Sequence, residues 1–201
     1  MTAKEKVLEF AKEKRIFRPR DADDALGGAS SRVYLQRLTS EGKLVKSGYG
    51  LYRFAESSFS ELQDILETAV KVPKGMLCLL SALRFHDLTT QNPFEVWMAV
   101  KRGMRIPKVG TVPVRFFSFS ESVYRAGVEI HKIEGVEVKV YSAAKSIMDC
   151  FRYQSTIGFD VAIEALREAW AQRKVTMDEL YHFAEVRNIK KKMMPYLRTL
   201  D

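Results

Sequence analysis

Apolar residues recur at helical spacing through the first forty positions and then give way to two short β-prone runs. Val7, Leu8 and Ala11 form one stripe, with Lys4, Lys12 and Lys14 kept for solvent, the pattern of an amphipathic helix. Thr2 followed three residues later by Glu5 supplies a capping box for its start. Ile16 and Phe17 lead out of that helix, and Pro19 suits the first turn of a second one ending near Leu26. Gly27 and Gly28 allow the positive φ of a tight turn. A third helix is expected from about Ser30 to Glu41, stopped by Gly42. The runs 43–46 and 50–54 flank Ser47-Gly48-Tyr49, which has hairpin-loop chemistry. Three helices and a hairpin, with a glycine turn before the third helix, form the layout of a winged helix-turn-helix.

At 3.6 residues per turn, Ser31, Leu35 and Leu38 fall on one side of the third helix, with Tyr34 beside them. Arg32, Val33, Gln36 and Arg37 fall on the other, preceded by Ala29 and Ser30. That outward set suits base reading: arginine grips guanine O6 and N7, glutamine pairs with adenine N6 and N7, and valine meets a thymine methyl. Lys46, Ser47 and Tyr49 of the hairpin would reach phosphate or the minor groove, and Arg18 and Arg20 would clamp backbone phosphates. The plainer alternative is a surface helix whose arginines are simply solvated.

Beyond the turn-like segment Glu56-Ser57-Ser58-Phe59-Ser60 a new apolar period begins, so two domains are expected, 1–56 and 57–201. The second reads as mixed α/β, and the whole chain as α+β. Phe59, Leu62, Ile65, Leu66 and Ala69 mark a helix, and the apolar stretch 77–85 reads as a second, buried one. Strands are expected at 94–100, 112–119, 128–133 and 136–141, the last two joined by Glu134-Gly135. Helices then follow at 143–154, at 160–173, and from a capping box at Thr176 and Glu179 to near Asn188.

Charge sharpens this division. The chain has 201 residues and a formal net charge of +8. Residues 1–55 hold 12 Lys+Arg against 7 Asp+Glu, a net of +5, which leaves +3 for the rest. A basic module at the front favours a polyanionic partner. Two further basic clusters stand apart: Lys101, Arg102 and Arg105 around Gly103, which suit phosphate contact and a solvated loop equally, and the run Lys190-Lys191-Lys192 near the end, which is expected to be a solvated tail in preference to a nucleic-acid contact.

The chemistry-bearing patterns are few. The longest apolar stretch, 76–83, is far below the ~20 residues of a membrane span. The N-terminus begins an amphipathic helix and not a signal peptide, so a cytoplasmic protein is expected. Cys78 and Cys150 are too few for a disulfide framework. His86, His131 and His182 have no metal-ligand spacing, and no phosphate-cradling glycine motif or nucleophile elbow occurs. No catalytic residue, metal or cofactor is therefore expected. One short pattern leaves an alternative open: Glu137-Val138-Lys139 matches the E-x-K signature of Mg²⁺-dependent nucleases, with both charges on one strand face. It equally describes the polar face of a hairpin with cross-strand charge pairs. Lys145 and Asp149, with Arg152 beyond, read as an ion-pair row along a helix.

Together these residues resemble the antitoxin family of type IV toxin–antitoxin systems, the AbiEi-type abortive-infection regulators. The similarity rests on residues 31–38, on Glu41-Gly42-Lys43-Leu44 and on residues 48–53. In the second region it rests on residues 80–83, 86–89, 95–99, 127–131 and 138–141. Its strongest stretch is Ala144 to Tyr153, with Ile157-Gly158 and Asp160-Val161-Ala162. The resemblance covers nearly the whole chain and is more specific in the second region. It implies a bacterial transcriptional autorepressor whose winged helix binds operator inverted repeats in double-stranded DNA. It also implies a C-terminal antitoxin domain that counters a nucleotidyltransferase toxin without a stable direct complex. Two alternatives stand beside it: the Mg²⁺-dependent nuclease built on Glu137 and Lys139, and a stand-alone regulator whose second domain senses a ligand or dimerises.

Overall fold

The structure is a computed structural model that describes residues 1–47, 50–56, 62–107, 109–110 and 112–200. It is a mixed α+β fold with two sheets. Contacts group the chain into two compact units. The first holds residues 1–73 with 107–113 and 131–138; the second holds 74–106, 114–130 and 139–201. The break expected at 56 and 57 lies inside the first unit.

The first unit begins with α1 (Ala3–Lys14), whose Thr2/Glu5 capping box forms as the sequence suggests. Strand β1 (Ile16–Phe17), helix α2 (Pro19–Ala25) and helix α3 (Arg32–Ser40) follow. Next come strands β2 (Leu44–Ser47) and β3 (Leu51–Phe54), then helix α4 (Gln63–Lys71). The three strands form an antiparallel sheet in the order β1-β3-β2. Residues 16 and 17, expected only to lead out of α1, pair with Arg53 and Tyr52 and complete that sheet. A core of Val7, Ala11, Phe17, Ala22, Leu35, Leu38, Leu44 and Tyr52 holds the helices on it. Phe59, expected on the fourth helix, lies outside the described residues.

In the second unit the chain enters through β4 (Met76–Leu77) and turns at once into α5 (Leu79–Phe85). Position 77, expected to open a helix, is therefore strand. The stretch is apolar nearly all round, so its pattern does not separate strand from helix. The switch is made at Leu79, whose φ is 49°. Strands β5 (Val96–Lys101) and β6 (Val114–Phe119) precede a short helix, α6 (Glu121–Arg125), that the sequence did not suggest. Strands β7 (Val128–Ile133) and β8 (Val136–Tyr141) have the expected bounds. The sheet runs β6-β5-β4-β8-β7, with β4 antiparallel to β5 and parallel to β8. The remaining helices are α7 (Ala143–Arg152), α8 (Gln154–Ile157), α9 (Phe159–Ala171), α10 (Met177–Val186) and α11 (Lys190–Leu197). In α11 the lysines stay exposed, but Met193 and Leu197 are fully buried. The lysine run thus opens a docked helix and not a solvated tail.

The tip of the β7–β8 hairpin belongs to the first unit and lies close against the end of α1. Gly135 has φ +77°, and a Cβ there would stand 2.1 Å from the Glu13 carbonyl oxygen. Gly28, in the turn before α3, has φ +91° but open space around it. Gly135→Ala should therefore cost about 3 kcal/mol or more, left-handed strain plus overpacking. Gly28→Ala should cost about 1–2 kcal/mol from strain alone. Urea denaturation of the two variants checks the difference; equal losses would contradict it.

Candidate nucleic-acid interface

The orientation of α3 is set by a buried serine. Ser31 is fully buried at the N-cap of α3; its amide donates to Asp23 Oδ1 at 2.6 Å and its hydroxyl to the Pro19 carbonyl oxygen at 3.2 Å. Both partners lie on α2, so the start of α3 is tied to that helix at two points. The Ser31 hydroxyl and amide in turn hold the Asp23 carboxyl below the usual carboxylate range. Leu35 and Leu38 point into the core at 1% and 0% exposure. The opposite face is open: Ser30, Arg32, Val33, Gln36 and Arg37 are all exposed, and so is Ala29 before them.

The expected phosphate contacts divide. Arg20 and Lys46 are exposed on α2 and β2. Arg18 is not free: its guanidinium donates to both Asp21 oxygens, with Nη2 at 2.7 Å from Oδ1, and its amide donates to Oδ2 at 2.8 Å. The hydrogen bond donated to Asp21 raises the Arg18 pKa against a cost of partial burial. Asp21 thus caps the start of α2 by accepting from the Arg18 amide, and it also engages the Arg18 guanidinium that was expected on phosphate. Ser47 is half-buried and its hydroxyl donates to Glu67 Oε1, an oxygen that also accepts from Gln63 Nε2 at 2.8 Å. Its side chain is committed to α4. Tyr49 lies outside the described residues.

The second unit carries charge chemistry that the sequence presented differently. Lys145 and Asp149 on α7 are fully buried and pair at 2.5 Å. The third partner is Arg187, just past α10, with Nε 2.6 Å from Asp149 Oδ1; Arg152, expected in the row, is exposed. Burial pushes the Asp149 carboxyl up and the Lys145 ammonium down, and their mutual attraction opposes both shifts. The cations also sit on aromatic faces, Lys145 Nζ 4.1 Å from the Tyr141 ring centre and the Arg187 guanidinium 4.9 Å from that of Phe119. Burial likewise raises the Cys78 and Cys150 thiols, which keeps them protonated and inert. Glu137 is exposed and Lys139 half-buried on β8. Among the described residues no group of three or more His, Cys, Asp or Glu side chains is placed to hold a metal. No helix is long and apolar enough to cross a membrane.

Fold and site together define an α+β protein with an exposed, arginine-bearing helix face beside a small antiparallel sheet. No family model matches the chain, and no curated protein matches it. Among solved structures it is similar to the RV2827C protein from Mycobacterium tuberculosis, over 100% of this chain and 77% of that one. The TM-score is 0.63 and the identity 13%, a likeness of fold alone.

The buried ion triad has a direct consequence for stability. Asp149→Ala leaves Lys145 and Arg187 without their counter-charge and should cost about 3–5 kcal/mol. Asp160→Ala, on an exposed position of α9, should change stability by less than about 0.5 kcal/mol. Denaturant midpoints of the two variants test this; a loss at Asp149 as small as that at Asp160 would show the triad to be dispensable.

Proposed function

We propose that the chain is a DNA-binding transcriptional repressor of the winged helix-turn-helix kind, acting as the antitoxin of a bacterial type IV toxin–antitoxin pair in the cytoplasm. The observation that carries the DNA reading is the exposed face of α3. Arg32, Val33, Gln36 and Arg37 stand clear of the core on a helix whose start is tied to α2 through buried Ser31. Those four side chains offer the donors, acceptor and methyl contact that major-groove edges require. Arg20 and Lys46 supply charge for phosphates on either side of that face. The partner is operator DNA, and no enzymatic step is part of this reading. The antitoxin role is supported by the resemblance of residues 31–38, 41–44 and 48–53 and, above all, of residues 144–153, 157–158 and 160–162 to the AbiEi-type family.

Fluorescence anisotropy with the DNA upstream of the protein's own gene tests the first half. Arg32→Ala and Arg37→Ala should each weaken specific binding by about 1–3 kcal/mol and relax discrimination between sequences. Arg20→Ala should weaken all duplexes alike and lower the salt slope by about 1. Arg18→Ala should alter DNA affinity little, since Asp21 already holds that side chain. Unchanged operator affinity in the Arg32/Arg37 double variant would refute the interface.

The second half is tested by growth. Co-expression with a nucleotidyltransferase encoded beside it should restore growth of cells poisoned by that enzyme, without the two co-purifying. No rescue would remove the antitoxin role and leave the repressor reading standing.

A further inference from the structure

Two basic clusters that are distant in sequence meet in the second unit. Arg102, after β5, and Arg152, at the end of α7, line a cleft of about 890 Å³ together with Arg187 and the first turn of α11, Lys190 to Lys192. A neighbouring cavity of about 430 Å³ shares Arg102, Ser120, Arg152 and Arg187, and adds the hydroxyl residues Ser118, Ser155 and Thr156. The volumes fall in the range of small-molecule sites.

The charges in this trough are unevenly compensated. Glu185 is the acidic residue of the lining and it pairs with Lys190. Arg187 answers to Asp149. Arg102, Arg152, Lys191 and Lys192 have no acidic partner among the described residues; Lys192 Nζ reaches only the Phe151 carbonyl oxygen, at 3.4 Å. The amides of residues 190–192 open α11, ahead of the first intrahelical bond from Met193 to Ile189. They add free N–H donors at the positive end of a helix.

Arg187 is the buried cation of the lining. Its side chain is only 9% exposed, yet it lines both cavities. Its Nε lies 2.6 Å from Asp149 Oδ1, so that edge of the guanidinium is engaged inside the unit. The guanidinium carbon lies 4.9 Å from the Phe119 ring centre, a second contact that restrains the side chain. A planar guanidinium in a concave site, with lysines around it, is a common way for proteins to grip phosphate oxygens.

We propose that this trough binds a small ligand with two or more phosphate groups, of the size of a nucleoside di- or triphosphate. Four cations without acidic partners match the charge of a pyrophosphate unit better than that of a single phosphate. Arg187, nine-tenths buried, lines both cavities, a position that suits a compact ligand entering the cleft better than a duplex lying across it.

Isothermal titration of the full chain with pyrophosphate and with ATP, at about 150 mM chloride to suppress diffuse attraction, tests this. Wild type should bind both saturably at one site, and orthophosphate more weakly. The Arg102→Ala/Lys191→Ala variant changes only exposed side chains; it should keep the wild-type melting temperature and bind roughly tenfold or more weakly. Arg152→Ala should show the same direction of change. Absence of saturable binding up to about 1 mM ligand, or unchanged affinity in both variants, would overturn the proposal. So would variants that keep pyrophosphate binding and lose only duplex-DNA affinity, which would assign the trough to nucleic acid.

Discussion

Asp149 is a carboxylate with no solvent exposure, and a charge in that position costs several kcal/mol unless other charges surround it. Lys145, one helical turn earlier, supplies the first. The second has to come from elsewhere in the unit, and Arg187 arrives from the end of α10. The location of α10 is thereby constrained: a shift along its axis would withdraw Arg187 and leave two buried charges where three now sit. Tyr141 and Phe119, from β8 and β6, close over the cations with their ring faces. One ionic contact therefore links two strands of the sheet to two helices packed in the same unit. The apolar core around it, including Ile147, Phe151, Ala165 and Leu180, supplies most of the burial, but that burial is compatible with several arrangements. The charges select among them.

The first unit meets a smaller version of the same demand. Ser31 is buried with both its amide and its hydroxyl, and each requires a partner. Asp23 and the Pro19 carbonyl answer, both on α2. The result is an α2–α3 corner defined by hydrogen bonds at two points, with Gly27 and Gly28 turning the chain between them at φ +70° and +91°. Everything exposed on α3 inherits its direction from that corner. A face meant to read base edges needs such rigidity, since each pairing depends on placement to a fraction of an ångström.

These features were unequally legible in the sequence. Capping residues, glycine turns and apolar stripes are local signals, and Thr2/Glu5, Thr176/Glu179, Glu134-Gly135 and the inner face of α3 could be read from spacing alone. Two-residue strands carry no period, so β1 and β4 were hidden, although β1 completes one sheet and β4 sits in the middle of the other. Lysine and aspartate four apart mark an ion-pair row, ordinarily at a helix surface; the pair between Lys145 and Asp149 was legible from that spacing, its burial was not. A contrary signal was present: Ala144, Ile147, Met148, Cys150 and Phe151 leave α7 little polar surface, so the pair had to be buried. Arg187 had no such signal, because only the fold brings it to α7. Arg18 illustrates the reverse case. Its capping partner Asp21 stood three residues away, and the pattern that made it look like a phosphate clamp also tied it up.

Net charge is a weaker guide than pairing. The first 55 residues carry a formal +5, yet much of their cationic surface faces local acids: Lys4 with Glu41, Lys12 with Glu9, Arg15 with Glu134, Arg18 with Asp21. Once these pairs are set aside, Arg20, Arg32, Arg37 and Lys46 remain as exposed cations on α2, α3 and β2. The remaining residues, 56–201, carry only +3 in total, which suggested no electrostatic role. Glu185 spends its charge on Lys190, and Asp149 is locked inside with Lys145 and Arg187. Arg102, Arg152, Lys191 and Lys192 are thus left concentrated along one trough. A modest average therefore conceals a strong local field, because the acids closest to the trough, Glu185 and Asp149, are paired or buried. Where a polyanion can bind is decided by which cations keep no carboxylate beside them.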